Sequence, residues 1–303
     1  MMYNVEIKLY EIRKDNIMEN KNKIKNFLKI ILRIFILLLA VTIFSGGIMR
    51  AISLIFYGKT YFNSGYKNAN LVMLMGTTGQ LLAGIFFVKF ILKKKINYIF
   101  FKKEGLAKNI CIGLLLGLLQ ISIYVLLDMG RGVLEYSGSS YGNFNLIFLA
   151  YFIGFFIQST SEEVLVRGIL TKVLSDKFGR SVAILLPSIV FGLLHLGNEG
   201  VTFLSTLNTI LVGIFFAKLL FYKENIMLTS GVHAGWNFSM AMIYGLNVSG
   251  FSGFDSLLNF KILNYNLYDE IYGPEGSIVV TFIEIISIFI IFYLERRKKL
   301  TNR

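Results

Sequence analysis

Residues 145–170 read NLIFLAYFIGFFIQSTSEEVLVRGIL. At about 1.5 Å per residue, a helix of this length crosses the roughly 30 Å hydrocarbon core of a bilayer. The apolar run nevertheless carries Glu162, Glu163 and Arg167. Each ionisable group within a span costs about 2.5–3.5 kcal/mol on insertion scales, so such residues are functional hypotheses by default. The segment thus sets the fold class, a membrane helix, and marks where chemistry sits on it.

The same texture recurs on both sides. Further apolar segments lie near 31–49, 70–92, 109–128, 182–196, 201–221, 226–247 and 277–294. With 145–170 they predict an all-α, polytopic membrane helix bundle of about eight transmembrane helices. Backbone polar groups in hydrocarbon must be satisfied within the segment, which favours helices. The two-residue alternation of a membrane barrel strand is absent. By length alone, 303 residues suggest two soluble domains of about 150 residues each. Composition overrides that: 55% of residues are hydrophobic and 16% charged, against about 45–50% and 25% in soluble domains. Abundant Phe, Ile and Leu also exclude disorder.

The net charge of +13 does not point to nucleic acid, because the basic residues flank the apolar runs. Segments 1–33, 89–108, 167–180, 218–223 and 296–303 hold 26 of the 31 Lys and Arg residues. The other side keeps Arg50, Lys59, Lys67, Arg131 and Lys261. By the positive-inside rule both termini are expected in the cytoplasm. The organisation that follows is a basic cytoplasmic tail (1–30), N-terminal transmembrane helices (31–148), a polar-residue-bearing core (149–247), and an outer loop, last helix and basic tail (248–303). The first 26 residues are too long and too mixed in charge for a signal-peptide n-region. Cys111 is the single cysteine, so no intrachain disulfide can form. Gly113 and Gly117 form a GxxxG pair whose meaning is close helix packing. Trp236 reads as an interfacial or packing aromatic, and Glu284 in the last span takes no role.

Three polar motifs stand on three separate spans: Glu162-Glu163-x-x-x-Arg167, Phe191-x-x-x-His195 and His233-x-x-x-Asn237. His195 and His233 are the only histidines in the chain. Residues four apart share a helix face, so Glu163 can pair with Arg167. Glu162, about 100° round the helix from Glu163, is left as the carboxylate free for chemistry. Estimated along the helices, Glu162 lies about 15 Å from the cytoplasmic Lys172, His195 about 20 Å from Ser181 and His233 about 10 Å from Met227. A carboxylate and two imidazoles are thus expected at similar depth.

This order of motifs, across residues 151–245, resembles the CAAX-protease and bacteriocin-processing family of intramembrane proteases, also called the Abi or type II CAAX prenyl endopeptidase family. The resemblance implies that Glu162 activates the attacking water, assisted by His195. Glu163 and Arg167 complete the first motif and hold the site together. His233 and Asn237 donate to the developing oxyanion, and Phe191 walls the site. It leaves the cofactor open. A glutamate-and-water mechanism needs no protein-held metal, whereas a zinc would take Glu162 (or Glu163), His195 and His233 as ligands with one open position. The expected partners are the lipid bilayer and a peptide or protein substrate, with the oligomeric state unassigned. Two other functions compete. A non-catalytic membrane scaffold would need only the fold, and a proton-coupled transporter would use intramembrane Glu and His but would be expected to show inverted repeats. The Ile-, Lys- and Asn-rich sequence suggests an AT-rich bacterial genome, hence the plasma membrane. There the substrate would be a bacteriocin-like or signalling peptide rather than a prenylated protein.

Overall fold

The computed structural model describes residues 2–59 and 68–301. Lys67 and Arg303, counted in the charge pattern, lie outside them, as do the side chains of Lys8, Arg13, Lys14, Lys21 and Lys23. Nine α-helices run through the described residues: α1 Met2–Tyr57, α2 Ala69–Gly76, α3 Thr78–Phe86, α4 Leu106–Gly130, α5 Leu146–Glu163, α6 Thr171–Leu194, α7 Phe203–Lys223, α8 Ile226–Phe238 and α9 Ile278–Thr301. Three of them widen at their C-terminal ends into π-helical turns, at Phe87–Ile91, Val164–Leu170 and Ser239–Ile243.

Among the described residues six helical runs are long and apolar enough to cross a membrane: Leu32–Tyr57, Ala69–Ile91, Leu106–Gly130, Leu146–Leu194, Phe203–Lys223 and Ile278–Thr301. The difference from the eight predicted segments has two local causes. The segments at 145–170 and 182–196 are joined in one 49-residue run, Leu146–Leu194. It is broken only at Gly179, whose φ of 80° and ψ of 175° are not helical. The segment at 226–247 is α8 plus a π-turn, and the 13 residues of α8 fall short of the about 20 that a span requires. The first segment is part of a single 56-residue helix that also takes in the N-terminal tail.

α8 sits at the centre, with every residue from Ile226 to Phe238 buried. On one side it lies against α4, and small residues make that approach possible. A Cβ on Gly113 would come within 2.5 Å of the Leu228 carbonyl oxygen, and one on Gly231 within 2.8 Å of the Ile110 carbonyl oxygen. Side chains on Gly117 or Gly235 would strike the Val232 and Leu114 carbonyls. The GxxxG pair is therefore a packing seam. On its other side α8 meets α5, where Phe148, Phe152 and Phe155 pack around Phe238. Trp236 is buried in the same core cluster, which makes it a packing aromatic. Outward-facing Leu, Ile and Phe on α1, α4 and α9 stay exposed, as expected for helix faces that meet lipid.

One element departs from the all-α expectation. β1 (Leu134–Ser139) and β2 (Leu258–Ile262) form a two-stranded antiparallel sheet with Glu135 opposite Lys261 and Tyr136 opposite Phe260, and a bulge between Tyr136 and Gly138. It ties the loop after α4 to the long loop before α9. That loop folds back on the bundle: Asn198 Nδ2 donates to the Ser249 carbonyl at 2.9 Å, and Asn208 Nδ2 donates to the carbonyls of Glu275 and Ser277 at 2.9 Å each.

Candidate active site

The first motif stands at the end of α5, whose start is fixed by Asn145. The Asn145 side chain accepts from the amides of Ile147 and Phe148 at 2.9 and 3.2 Å, satisfying donors that a helix N-terminus leaves free. The α-helix ends at Glu163 and continues as the π-turn Val164–Leu170. Thr171 Oγ1 donates to the Val166 carbonyl at 3.0 Å within this widened turn. α8 likewise gives way to a π-turn directly after Asn237 and Phe238. Such turns re-aim the side chains around them and recur at functional sites.

Glu163 and Arg167 form the pair expected from their spacing. Arg167 Nη1 lies 3.1 Å from Glu163 Oε1, with the side chains 1% and 0% exposed. The guanidinium carbon is 4.0 Å from the Phe191 ring centroid and 5.3 Å from that of Phe216. Stacked between two aromatic faces, a desolvated cation gains attraction from both ring quadrupoles.

His233 stands between the two carboxylates. Its Nδ1 is 3.4 Å from Glu163 Oε1, and its Nε2 is 3.9 Å from Glu162 Oε2. The ring is flanked by Phe216 at 5.4 Å and Phe191 at 6.1 Å. The Glu162 side chain is 24% exposed, in contrast to its fully buried neighbour. Glu162 Oε1 accepts from Gln158 Nε2 at 2.6 Å, and Gln158 Oε1 accepts from Asn237 Nδ2 at 3.2 Å. Buried polar atoms without a hydrogen-bond partner concentrate here: Glu162 Oε2, both Glu163 oxygens, Arg167 Nη1 and Nη2, and His233 Nδ1. Most buried polar atoms in proteins are paired, so such a concentration calls for a reason, and a reaction site is one.

His195 closes α6. Its ring packs on Phe191 at 4.6 Å, and its Nδ1 lies 2.8 Å from the Phe191 carbonyl oxygen. The structure thus gathers Glu162, Glu163, Arg167, His233 and Asn237 directly, and attaches His195 through Phe191. Among the described residues no hydrogen bond or ion pair joins His195 to Glu162, and no group of three or more His, Cys, Asp or Glu residues stands where it could hold a metal ion. Glu162, His195 and His233 do not make the three-ligand set of a catalytic zinc.

Three residues near the site carry no motif. Gln158 bridges Glu162 and Asn237, and Phe216 closes the aromatic wall. Glu275, in the short 3-10 turn Pro274–Gly276, accepts from Ser249 Oγ at 2.5 Å through Oε2. Burial pushes its carboxyl above the ordinary glutamate range, against the opposing pull of the Ser249 hydroxyl and of the His195 and His233 imidazoles. Glu284, deeper on α9, is fully buried with neither oxygen hydrogen-bonded.

Apolar helices enclosing a cluster of two carboxylates, an imidazole and a guanidinium make this a multi-pass membrane protein with a polar site between its helices. Residues 144–239 match the family model for type II CAAX prenyl endopeptidase, Rce1-like. All three motifs fall within the matched residues. The family resemblance read from them is thereby shown, and over this third of the chain the protein is similar to a CAAX-type intramembrane protease, a peptide hydrolase. No curated protein matches the sequence.

Proposed function

We propose that the protein is an intramembrane endopeptidase that cleaves a membrane-associated peptide or protein, with Glu162 as general base. One observation carries this reading. Of two adjacent carboxylates, Glu163 is paired with Arg167, while Glu162 is partly open, with one oxygen held by Gln158 and the other facing His233 across 3.9 Å.

In this mechanism Glu162 Oε2 takes a proton from water as the water oxygen bonds to the scissile carbonyl carbon. The carbonyl electron pair moves onto its oxygen. Asn237 Nδ2–H donates to that oxyanion, as does His233 Nε2–H, with the ring held between the two carboxylates. Single donors of this kind are worth about 2.7–4 kcal/mol. When the C–N bond breaks, the electron pair passes to nitrogen and Glu162 returns the proton there. His195, fixed at Nδ1 by the Phe191 carbonyl, assists from the rim with its Nε2.

The finer topology belongs to the same reading. The break at Gly179 divides the run Leu146–Leu194 into two spans, and α8 with its π-turn adds another. This restores eight segments with both termini in the cytoplasm and a core over 149–247. In a bacterial plasma membrane the substrate is a bacteriocin-like or signalling peptide.

The test is cleavage of a library of hydrophobic and prenylated peptides by purified wild type, Glu162→Gln and His195→Ala, each verified as folded and assayed with and without chelator. Glu162→Gln is expected to lose about 10²–10⁴-fold in rate, and the wild type to keep its activity with chelator present. Equal rates in wild type and Glu162→Gln would remove Glu162 from the mechanism. A folded wild type that cleaves nothing in the library would favour the scaffold over the enzyme.

A further inference from the structure

Gln158 lies one helical turn before Glu162, at the i,i+4 spacing that brings side chains together on one face. A primary amide in an apolar span needs partners, because an unsatisfied polar group there costs several kcal/mol. Gln158 has three. Its Nε2 donates to Glu162 Oε1 at 2.6 Å, and its Oε1 accepts from Asn237 Nδ2 at 3.2 Å and from Ser159 Oγ at 3.1 Å.

The direction of these bonds follows from one fact of chemistry. An ionised carboxylate only accepts hydrogen bonds, so the amino end of Gln158 must face Glu162. Its carbonyl end is then turned to Asn237, and a carbonyl also only accepts. The Asn237 side chain therefore turns its own amino group towards Gln158. One of its two N–H bonds is used there and the second remains for another acceptor. The orientation of an amide on α8 is thus dictated by the charge of a carboxylate on α5, through a side chain outside all three motifs.

We propose that Gln158 is a positioning residue for hydrolysis: it immobilises Glu162 by one oxygen, leaving the other for water, and fixes the Asn237 amide with an N–H towards the oxyanion. It touches neither water nor substrate. The proposal rests on the assignment of Glu162 and Asn237 made above, and it adds the link that makes base and oxyanion donor one unit.

The experiment uses the full chain in detergent or nanodiscs, with Gln158→Met, Gln158→Glu, Asn237→Ala and the Gln158→Met/Asn237→Ala double variant. Met keeps the length of the side chain and removes all three of its hydrogen bonds. Glu keeps an acceptor for Asn237 and loses the donor to Glu162. Both single Gln158 variants are expected to lower kcat by about 10²-fold, the cost of small displacements among reacting groups, with KM close to wild type and each variant verified as folded. The double variant is expected to be less impaired than the product of its two single losses. The side-chain amide signals of Asn237 in ¹⁵N NMR, identified by their disappearance in Asn237→Ala, are expected to shift in Gln158→Met, whether or not a peptide is turned over. Unchanged Asn237 signals, or losses that multiply as for independent sites, would overturn the proposal. So would a wild-type rate in Gln158→Met beside an inactive Glu162→Gln, which would leave the Glu162 assignment intact. An active Glu162→Gln would instead sink the assignment beneath it.

Discussion

The two faces of α8 are built from opposite materials. Gly231 and Gly235 present almost nothing, so the backbones of α4 and α8 touch directly. His233 and Asn237, two residues further on and thus about 200° round the helix, present polar side chains to α5. The first face has no chemistry and no freedom. The second has the chemistry, but its contacts of 3.2–3.9 Å cannot set the spacing between two helices. The comparison teaches that the glycine face locates α8 and the polar face depends on that location.

The largest effect is expected from filling the glycine face. Gly235→Leu puts a branched side chain where even a Cβ would strike the Leu114 carbonyl. α4 and α8 must then separate, at a cost of about 3 kcal/mol or more, and the polar atoms opposite are carried out of register. Both the melting temperature and peptide cleavage should collapse. Gly46→Leu supplies the control, because nothing lies within 4 Å of a Cβ at that position on α1. A Gly235→Leu variant that melts like wild type would remove the glycine face as the locating element.

Next is Arg167→Met. It leaves Glu163 as a fully buried carboxylate without its cation, a loss of about 3–5 kcal/mol for a broken buried pair. Glu163→Gln added to Arg167→Met should restore much of the stability, because removing both charges also removes the desolvation cost. Recovery of melting temperature without recovery of activity would assign the pair to site electrostatics as well as to folding. If the double variant melts no higher than Arg167→Met, the loss arises from the stacking of Arg167 between Phe191 and Phe216 rather than from the charge.

The same contrast explains what the sequence made legible. The α4 side of the glycine seam, Gly113 and Gly117, was readable because the GxxxG spacing has few other uses in a span, whereas its α8 side, Gly231 and Gly235, emerged only from the packing. The Glu163–Arg167 pair and the gathering of His233 with the first motif were readable because charge in an apolar run is costly and i,i+4 spacing defines a face. Gln158 was not readable, since a neutral amide followed by Ser159-Thr160-Ser161 carries no charge signal and its partner Asn237 is 79 residues away. Phe216 looks like any lipid-facing aromatic until Arg167 is placed beside it. Glu275 sits in a Gly- and Asp-rich loop without periodicity, and only the chain path through Ser249 and Asn198 brings it near His195. How the apolar segments join into helical runs was not legible for a related reason. The apolar pattern reports length and hydropathy, whereas Gly179 and the π-turn after α8 change hydrogen bonding within runs of similar composition.

A smaller and more selective effect is expected on the polar face itself. Asn237→Ala removes an amide from a helix whose position the glycines hold, so the fold should persist. Its kcat is expected to fall by about 10²–10³-fold, the range for one lost oxyanion donor, with the melting temperature within a few degrees of wild type. Parallel falls in both would show that the polar face also locates the helix, and the division of labour between the two faces would be lost.

The smallest effect concerns the loop before α9. Because burial raises the Glu275 carboxyl above its ordinary range, the folded chain holds that proton more tightly than the unfolded chain does. Between the ordinary glutamate range, about pH 4–5, and the raised value, the native state binds more protons. Stability there must fall as pH rises. Below the window both states are protonated and the contribution is fully present; above it both are ionised and the contribution is gone. Glu275→Gln keeps a group able to accept from Ser249 and cannot ionise, so its melting temperature should lose this part of the pH dependence and exceed that of wild type at neutral pH by a small margin. Parallel melting curves for the two proteins across the window would mean that the carboxylate is stabilised in place by Ser249, His195 and His233. The loop before α9 would then be tied electrostatically to His195 and to His233 on α8, in addition to its Ser249 hydrogen bond.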